Sequence, residues 1–108
     1  MDIQIRHDDN LPGDINDRMV PIVEDVLERY RHQITTLEVH LADENGPKRA
    51  DGDIRCTIEA RVENRQPTAV TARANDVYTA VNAAAKKMLR KLDTELGKLR
   101  DQSVRGPA

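Results

Sequence analysis

Five basic residues near the carboxyl end of the chain are spaced so that one side of a helix would carry them. Residues 76–100 include six basic and three acidic residues, a local net charge of +3, whereas the whole chain carries −2. Successive residues of an α-helix turn by about 100°, so these bases would lie roughly opposite a stripe of apolar residues. A row of bases on a rigid helix can bind several phosphates and release their counterions, which gives salt-dependent affinity with little sequence preference. The alternative is an ordinary solvated helix face, and spacing alone does not decide between the two. The candidate RNA-binding residues are Lys86, Lys87, Arg90, Lys91 and Lys98.

Residue types that could support catalysis are scattered along the chain. Glu38 and His40 would share one face of a strand and could act as acid and base, but a solvated surface pair is the more common arrangement. Cys56 falls at an inward position of a predicted strand, which favours a packed thiol over a nucleophile. The three histidines and single cysteine lack the spacing of a metal site, and none of the five glycines belongs to a phosphate-binding loop. We therefore predict no enzymatic activity, no metal and no cofactor.

Two helices must position these residues. Apolar residues at helical spacing predict the first from about Ile15 to Tyr30, with Asp14, Asn16 or Asp17 as its N-cap. Pro21 would kink this helix unless it lay in the first turn. The second helix is predicted to begin at an N-cap of Asn75 or Asp76. Its apolar stripe comprises Val77, Val81, Ala85, Met88, Leu92, Leu96 and Leu99.

Four strands are predicted from alternating apolar and polar residues. The first precedes helix one, the other three follow it, and the last two would form a hairpin through residues 64–67. A helical connection makes strands one and two parallel if they are neighbours, and the other pairs antiparallel. The predicted fold is α+β in the order β-α-β-β-β-α, a four-stranded mixed sheet with both helices packed on one face. The inward residues are Ile3 and Ile5; Leu37, Val39 and Leu41; Ile54, Cys56, Ile58, Ala60 and Val62; and Val70, Ala72 and Ala74.

Length and composition predict one domain in a reducing compartment. A chain of 108 residues suits a single core, and we expect a domain over residues 1–101 followed by a short flexible tail over 102–108. With no Phe or Trp and only two Tyr, that core must be aliphatic. The single cysteine cannot form an intramolecular disulfide. No segment approaches the roughly 20 apolar residues that cross a bilayer, so a soluble cytoplasmic protein is expected.

The last predicted helix also resembles a known family signature. The run DVYTAVN from residue 76, followed by KM at 87 and RKL at 90, resembles the final helix of the ribosome hibernation-promoting factors and ribosome-associated translation inhibitors, the sigma-54 modulation protein family. That signature is approximately Asp-x-Tyr-x-Ala-(Ile/Val)-Asp, continuing to Lys-Leu-x-Arg-x-Leu. The chain matches it at Asp76, Tyr78, Ala80, Val81, Lys87, Met88, Arg90 and Leu92.

This resemblance implies a protein that binds in the decoding and messenger channel of the small ribosomal subunit and inhibits or stores ribosomes under stress or in stationary phase. It implies that Lys87 and Arg90 face ribosomal RNA, whereas the other candidate bases rest on the spacing in this chain. The expected partners are the small subunit and its rRNA, with no membrane and no small-molecule substrate. The chain resembles a short form from a divergent branch, partly because its loop over residues 43–52 is long and polar. Tyr78 lies near the apolar stripe and is predicted to pack in the core.

Some features favour other functions. Asp93 and Glu95 interrupt the bases, and helix one has more acidic than basic residues, so a surface shared by both helices would be less positive. A double-stranded RNA-binding module also ends β-β-β-α with bases on its last helix. A protein-protein interaction module without RNA binding could instead use a strand edge or the acidic helix. A base-stacking sheet is disfavoured because its platform needs aromatics. The predicted outward residues are Arg55, Thr57, Glu59, Arg61 and Arg73.

Overall fold

Helices and strands follow the predicted order β-α-β-β-β-α. The computed structural model describes residues 1–8, 11, 13–44 and 54–105, with side chains described up to residue 96. The loop that the sequence analysis placed over residues 43–52 lies mostly outside these ranges. The elements are β1 (Asp2–His7), α1 (Ile15–Val26), a 3₁₀ turn (Glu28–Tyr30), β2 (Ile34–Asp43), β3 (Ile54–Val62), β4 (Thr68–Ala74) and α2 (Val77–Arg105).

The four strands form one mixed sheet in the order β1-β2-β3-β4. β1 is parallel to β2, and the β2-β3 and β3-β4 pairs are antiparallel, as the connections predict. Ile5, Val39, Ile58 and Val70 are paired across the sheet and face inward. Because successive strand residues point to opposite faces, the neighbouring row faces solvent. The predicted α+β fold with a four-stranded mixed sheet is therefore confirmed.

One aliphatic core joins the inner face of the sheet to both helices. α1 contributes residues at helical spacing, Ile15, Met19 and Val23, and the chain beyond it adds Leu27 and Tyr30. The sheet's inner residues and the apolar side of α2 complete the same cluster. The outer face of the sheet carries the polar residues predicted for it. Within the described residues, no helix has the length and apolar character needed to span a membrane.

The first helix is shorter than its apolar pattern predicts. α1 ends at Val26, and the chain continues as the separate 3₁₀ turn Glu28–Tyr30. Pro21 lies in the interior of α1, beyond the first turn, yet the helix continues past it. A proline leaves the carbonyl four residues earlier without its helical donor. Since Pro21 and Asp17 are both exposed, water can hydrogen-bond that carbonyl.

The start of α1 is attached to the first strand. Asp14 occupies the N-cap position but makes no capping hydrogen bond with its side chain. Instead, the Asn16 side-chain amide donates to the Ile5 carbonyl over 3.1 Å. A side chain in the first turn of the helix, rather than a conventional cap, therefore connects α1 to β1.

The last helix extends further than predicted. α2 continues to Arg105, whereas the sequence analysis placed a tail from residue 102. Residues 106–108 lie outside the described ranges. The division into a domain over 1–101 and a tail over 102–108 stays a prediction.

Burial predicts that Cys56 is chemically inert in the folded protein. The thiol is completely buried on the inner face of β3, and desolvation raises its pKa from 9.0 to about 12. The thiolate is the reactive species, so at about pH 8 its population should fall roughly a thousandfold. We expect the native protein to react with a disulfide reagent at least a hundredfold more slowly than the same protein in denaturant. Comparable rates in the two states would contradict this placement.

Candidate nucleic-acid interface on the last helix

The first turn of α2 is fixed by Asp76. Its carboxylate accepts a hydrogen bond from the Thr79 backbone N–H over 2.8 Å and another from the Thr79 hydroxyl over 2.9 Å. The Asp76 carbonyl accepts from the Ala80 N–H over 3.0 Å. An aspartate at this position satisfies amide groups that have no partner within the helix. Of the two predicted N-caps, Asp76 is therefore the one used.

The apolar side of α2 sets its rotation about the helix axis. Val81, Ala85, Met88 and Leu92 are buried against the sheet and α1, as the stripe predicts. Val77 and Leu96 are partly buried and pack against the same core. The Leu99 side chain lies outside the described part of the chain. Because this side of the helix is buried in the core, the residues on the opposite side must face solvent.

The opposite side of α2 carries a cationic face. Its four described members, Lys86, Lys87, Arg90 and Lys91, are all exposed. Within the part of the chain whose side chains are described, no carboxylate lies within ion-pairing distance of any of them. Lys98 lies on the helix, but its side chain is not described, so its contribution stays a prediction. We refer to Lys86, Lys87, Arg90 and Lys91 as the cationic face.

Lys87 connects the cationic face to the edge of the sheet. Its Nζ donates to the Thr71 carbonyl on edge strand β4 over 2.7 Å. An ammonium group has three donors, so two stay available for a ligand. The cationic face therefore extends from the middle of α2 toward the β4 edge.

The acidic residues that interrupt the basic run are held by other elements. The Asp93 carboxylate accepts hydrogen bonds from the Tyr30 hydroxyl and, over 2.9 Å, from the Arg29 guanidinium. Glu95 accepts from the Thr68 hydroxyl on β4 over 3.4 Å. Both acids contact groups outside the cationic face, and the Asp93 charge is compensated by Arg29. These acids therefore weaken the face less than the sequence alone suggests.

Helix α1 does not extend the cationic face. Its N-cap Asp14 and its residues Asp17, Glu24 and Asp25 are exposed, and their charge would repel phosphate. Glu28, in the 3₁₀ turn, pairs with Arg31 over 3.2 Å. A phosphate-binding surface is therefore better formed by α2 and the β4 edge than by both helices together.

The prediction that Tyr78 packs in the core is wrong. Its side chain is 57% exposed, and no other large hydrophobic residue among those described is exposed. Ala80, Val81 and Ala84 occupy the buried positions of the first turns, and Tyr78 is rotated by about 60° from Val81. The spacing in the sequence could have indicated this exposure. Residues four positions apart follow one ridge of a helix, and Tyr78 lies on the same ridge as Asn82, Lys86 and Arg90.

The other reactive residues do not assemble into a site. Glu38 and His40 lie 3.8 Å apart on the open sheet face, and both are accessible to solvent. Cys56 is buried elsewhere on the inner face. Among the described residues, no group of three or more His, Cys, Asp or Glu side chains is placed to bind a metal ion.

The open face of the sheet has no Phe, Tyr or Trp among the described residues, and three of its arginines lie near carboxylates. Glu44 lies 3.3 Å from Arg73 and 3.9 Å from Arg55. Glu59 lies 3.7 Å from Arg61. These ion pairs partly compensate the basic residues of β3 and β4, and the described residues of this face offer no Phe, Tyr or Trp as a base-stacking platform.

Fold and site together define a small α+β protein with an exposed cationic face on its last helix. The family model for "Sigma 54 modulation protein / S30EA ribosomal protein" matches residues 4–100, and the chain belongs to this family. The resemblance inferred from the last helix is thus confirmed over most of the chain. Because this is a family of ribosome-associated proteins that are not enzymes, the expectation of no enzymatic activity is also confirmed.

Solved structures share the fold. The N-terminal domain of Protein Y from Thermus thermophilus superimposes with a TM-score of 0.66 at 18% identity, covering 87% of this chain and 98% of that one. A ribosomal subunit interface protein from Coxiella burnetii gives a TM-score of 0.58 at 18% identity, covering 94% and 99%. A comparison with curated protein sequences finds no significant match.

The contact between Tyr30 and Asp93 predicts a loss of stability at alkaline pH. Burial, and then the hydrogen bond to Asp93, raise the pKa of Tyr30 above its ordinary value of 10.0. The unfolded chain therefore releases this proton before the folded one does. The stabilisation is fully present below pH 10 and decreases as the pH rises further. We expect Tyr30→Phe to lower the free energy of unfolding by about 1–2 kcal/mol at neutral pH and to reduce the alkaline loss, as measured by urea denaturation.

Tyr78→Phe is the matched control, because Tyr78 is exposed. It should change neither the denaturation midpoint at neutral pH nor its alkaline dependence. If Tyr30→Phe behaves in the same way as this control, the hydrogen bond to Asp93 does not stabilise the fold.

Proposed function

We propose that the protein binds the small ribosomal subunit through the cationic face of α2, and that it thereby inhibits or stores ribosomes under stress or in stationary phase. The observation that carries this proposal is the exposure of four neighbouring bases with no described carboxylate paired to them. Phosphates of ribosomal RNA are the ligands that such a face suits.

Family membership supports a ribosomal partner. The family description names a ribosomal protein, and the similar protein from Coxiella burnetii is named as a subunit interface protein. Extending that location to this chain gives a protein bound between the ribosomal subunits, in the cytoplasm where ribosomes work. The proposal that the partner is the rRNA of the small subunit is more specific, and its support is the cationic face.

The four bases differ in how they would hold a phosphate. Arg90 lies near the centre of the exposed side, where a planar guanidinium can donate two parallel hydrogen bonds to one phosphate. Lys86, Lys87 and Lys91 are compact charges on flexible stems, so each can reach a separate phosphate. The four span five residue steps, or about 7.5 Å of helix. Several phosphates of one folded RNA strand could therefore be contacted without movement of the backbone.

Inhibition would follow from occupancy. A rigid domain bound by its last helix in the messenger and decoding channel would exclude messenger and transfer RNA by its volume. No chemical step is needed, and release would require only that the phosphate contacts be lost. Because those contacts are electrostatic, the affinity should depend strongly on salt.

Charge reversal on the cationic face should abolish binding. The double variant Lys87→Glu/Arg90→Glu changes the face by four charges at exposed positions and should leave the circular dichroism spectrum unchanged. We expect it to be lost from the small-subunit fraction in co-sedimentation. The control Arg55→Glu/Arg61→Glu makes the same charge change on the outer face of β3 and should sediment with the subunits as the wild type does.

Two outcomes would contradict the proposal. If Lys87→Glu/Arg90→Glu still binds, the cationic face is not the site. If both double variants lose binding equally, net charge rather than a particular face governs association.

The salt dependence provides a separate test of the number of phosphates. A plot of log affinity against log salt for purified small subunits should have a slope of roughly −3 to −5 if four or five phosphates are contacted. A slope near zero would favour a protein-protein interface. Equal affinity for plain RNA duplex and for small subunits would instead favour the double-stranded RNA-binding alternative.

A further inference from the structure

One ridge of α2 carries side chains that can contact a nucleobase next to side chains that can bind phosphate. We propose that Tyr78 and Asn82 form a contact site for an unpaired base of ribosomal RNA, continuous with Lys86 and Arg90. This inference rests on the proposed function, and adds recognition of a base to phosphate binding. We refer to Tyr78 and Asn82 as the base-contact site.

The spacing aligns the four residues. Tyr78, Asn82, Lys86 and Arg90 are each four positions apart, so they follow one ridge that turns only slowly around the helix. Each step rises by about 6 Å, which sets Tyr78 roughly 12 Å from Lys86 and 18 Å from Arg90 along the axis. A single RNA strand following the ridge could therefore place phosphates on the bases and a nucleobase on Tyr78.

Both members of the base-contact site are available to a ligand. Tyr78 is 57% exposed, and Asn82 is half-buried, with no hydrogen bond from its side chain to any described residue. Isolated apolar residues on a surface are ordinary. This one differs because it aligns with the cationic face.

The backbone that carries Tyr78 is held in place. The bonds from Thr79 to the Asp76 carboxylate fix the turn that contains it. A tyrosine has few rotatable bonds, so presenting its ring to a ligand costs little conformational entropy. The backbone position from which the ring extends is therefore fixed before RNA binds.

The chemistry suits an unpaired base. An aromatic ring can stack on any nucleobase, which contributes about 1–3 kcal/mol per base. An asparagine amide has both a donor and an acceptor and can form paired hydrogen bonds with a base edge. In an RNA duplex the base faces are covered by stacking and the major groove is too narrow for side chains, so the base must be unpaired. The open sheet face has no Phe, Tyr or Trp among the described residues, whereas α2 exposes the ring of Tyr78.

Substitutions at Tyr78 test the proposal against purified small ribosomal subunits. We expect Tyr78→Phe to bind within about twofold of the wild type. Tyr78→Ala and Tyr78→Leu should both weaken binding roughly 5- to 100-fold, the loss expected for one stacked base. Their log-log salt slope should be unchanged, because no charge is removed. Urea denaturation should give the same midpoint for all four proteins, since the side chain is exposed.

A direct readout complements these affinities. Ultraviolet irradiation of the complex, followed by digestion and mass spectrometry, should find a nucleotide adduct on the peptide containing Tyr78. Asn82→Ala should also reduce affinity, with no change in the salt slope.

The outcomes separate this inference from the proposed function. If Tyr78→Ala binds as the wild type does while Lys87→Glu/Arg90→Glu does not, the base-contact site is refuted and the cationic face stands. If Tyr78→Leu retains full affinity, the ring packs on an apolar protein surface rather than on a base, and the proposal is overturned. If the wild type does not bind small subunits, both proposals fail.

Discussion

Burial of one side of α2 determines where every charge on that helix can lie. The side chains of Val81, Met88 and Leu92 are buried in the core. Burying each of them stabilises the fold by about 1.5–3 kcal/mol relative to leaving it exposed. Turning the helix to bury another side would expose all three. An exposed ion pair contributes at most about 1 kcal/mol, so charge interactions could not reverse that preference. The cationic face is therefore a consequence of core packing, and the Asp76 cap fixes where the helix that carries it begins.

The contacts of Asp93 keep the cationic face available. An acidic residue within a basic helix would ordinarily pair with its neighbours on adjacent turns. Here Arg29 and Tyr30, from the 3₁₀ turn, both donate hydrogen bonds to the Asp93 carboxylate. The same contact joins that turn to α2, so the structural link between the two helical segments also compensates the charge of an acidic residue close to Arg90. The negative charge of Asp93, which would oppose RNA binding, thus takes part in a contact that joins the 3₁₀ turn to α2.

Periodicity was sufficient to predict the strands and the buried side of α2, and the helical connection between strands one and two predicted their parallel pairing. The most regular alternation in the sequence predicts the strand that is β3, Ile54–Val62. These predictions succeeded because burial on one face imposes a periodicity that a single sequence displays. Helix one was less predictable. Its apolar spacing continues through the 3₁₀ turn to Tyr30, whereas the hydrogen bonding changes after Val26. Periodicity does not distinguish an α-helix from a following 3₁₀ turn.

The candidate site was predicted in its charges but not in its aromatic member. The four described bases are exposed, as the spacing indicates, because charged groups are rarely buried without partners. Tyr78 was assigned to the core because it lies close to the apolar stripe. Alanines occupy the neighbouring buried positions instead, and which residues fill a core depends on tertiary packing that one sequence does not display.

Chemical footprinting of lysines tests most directly whether the cationic face meets the ribosome. Free protein and protein bound to purified small subunits would be treated with an amine-acylating reagent, and modification at each lysine quantified by mass spectrometry. A parallel sample at a salt concentration that releases the protein would serve as the reference. Protection of Lys86, Lys87 and Lys91 in the complex, lost on release, is the predicted result. Equal modification of these three lysines in the bound and free protein would show that RNA does not cover this side of α2.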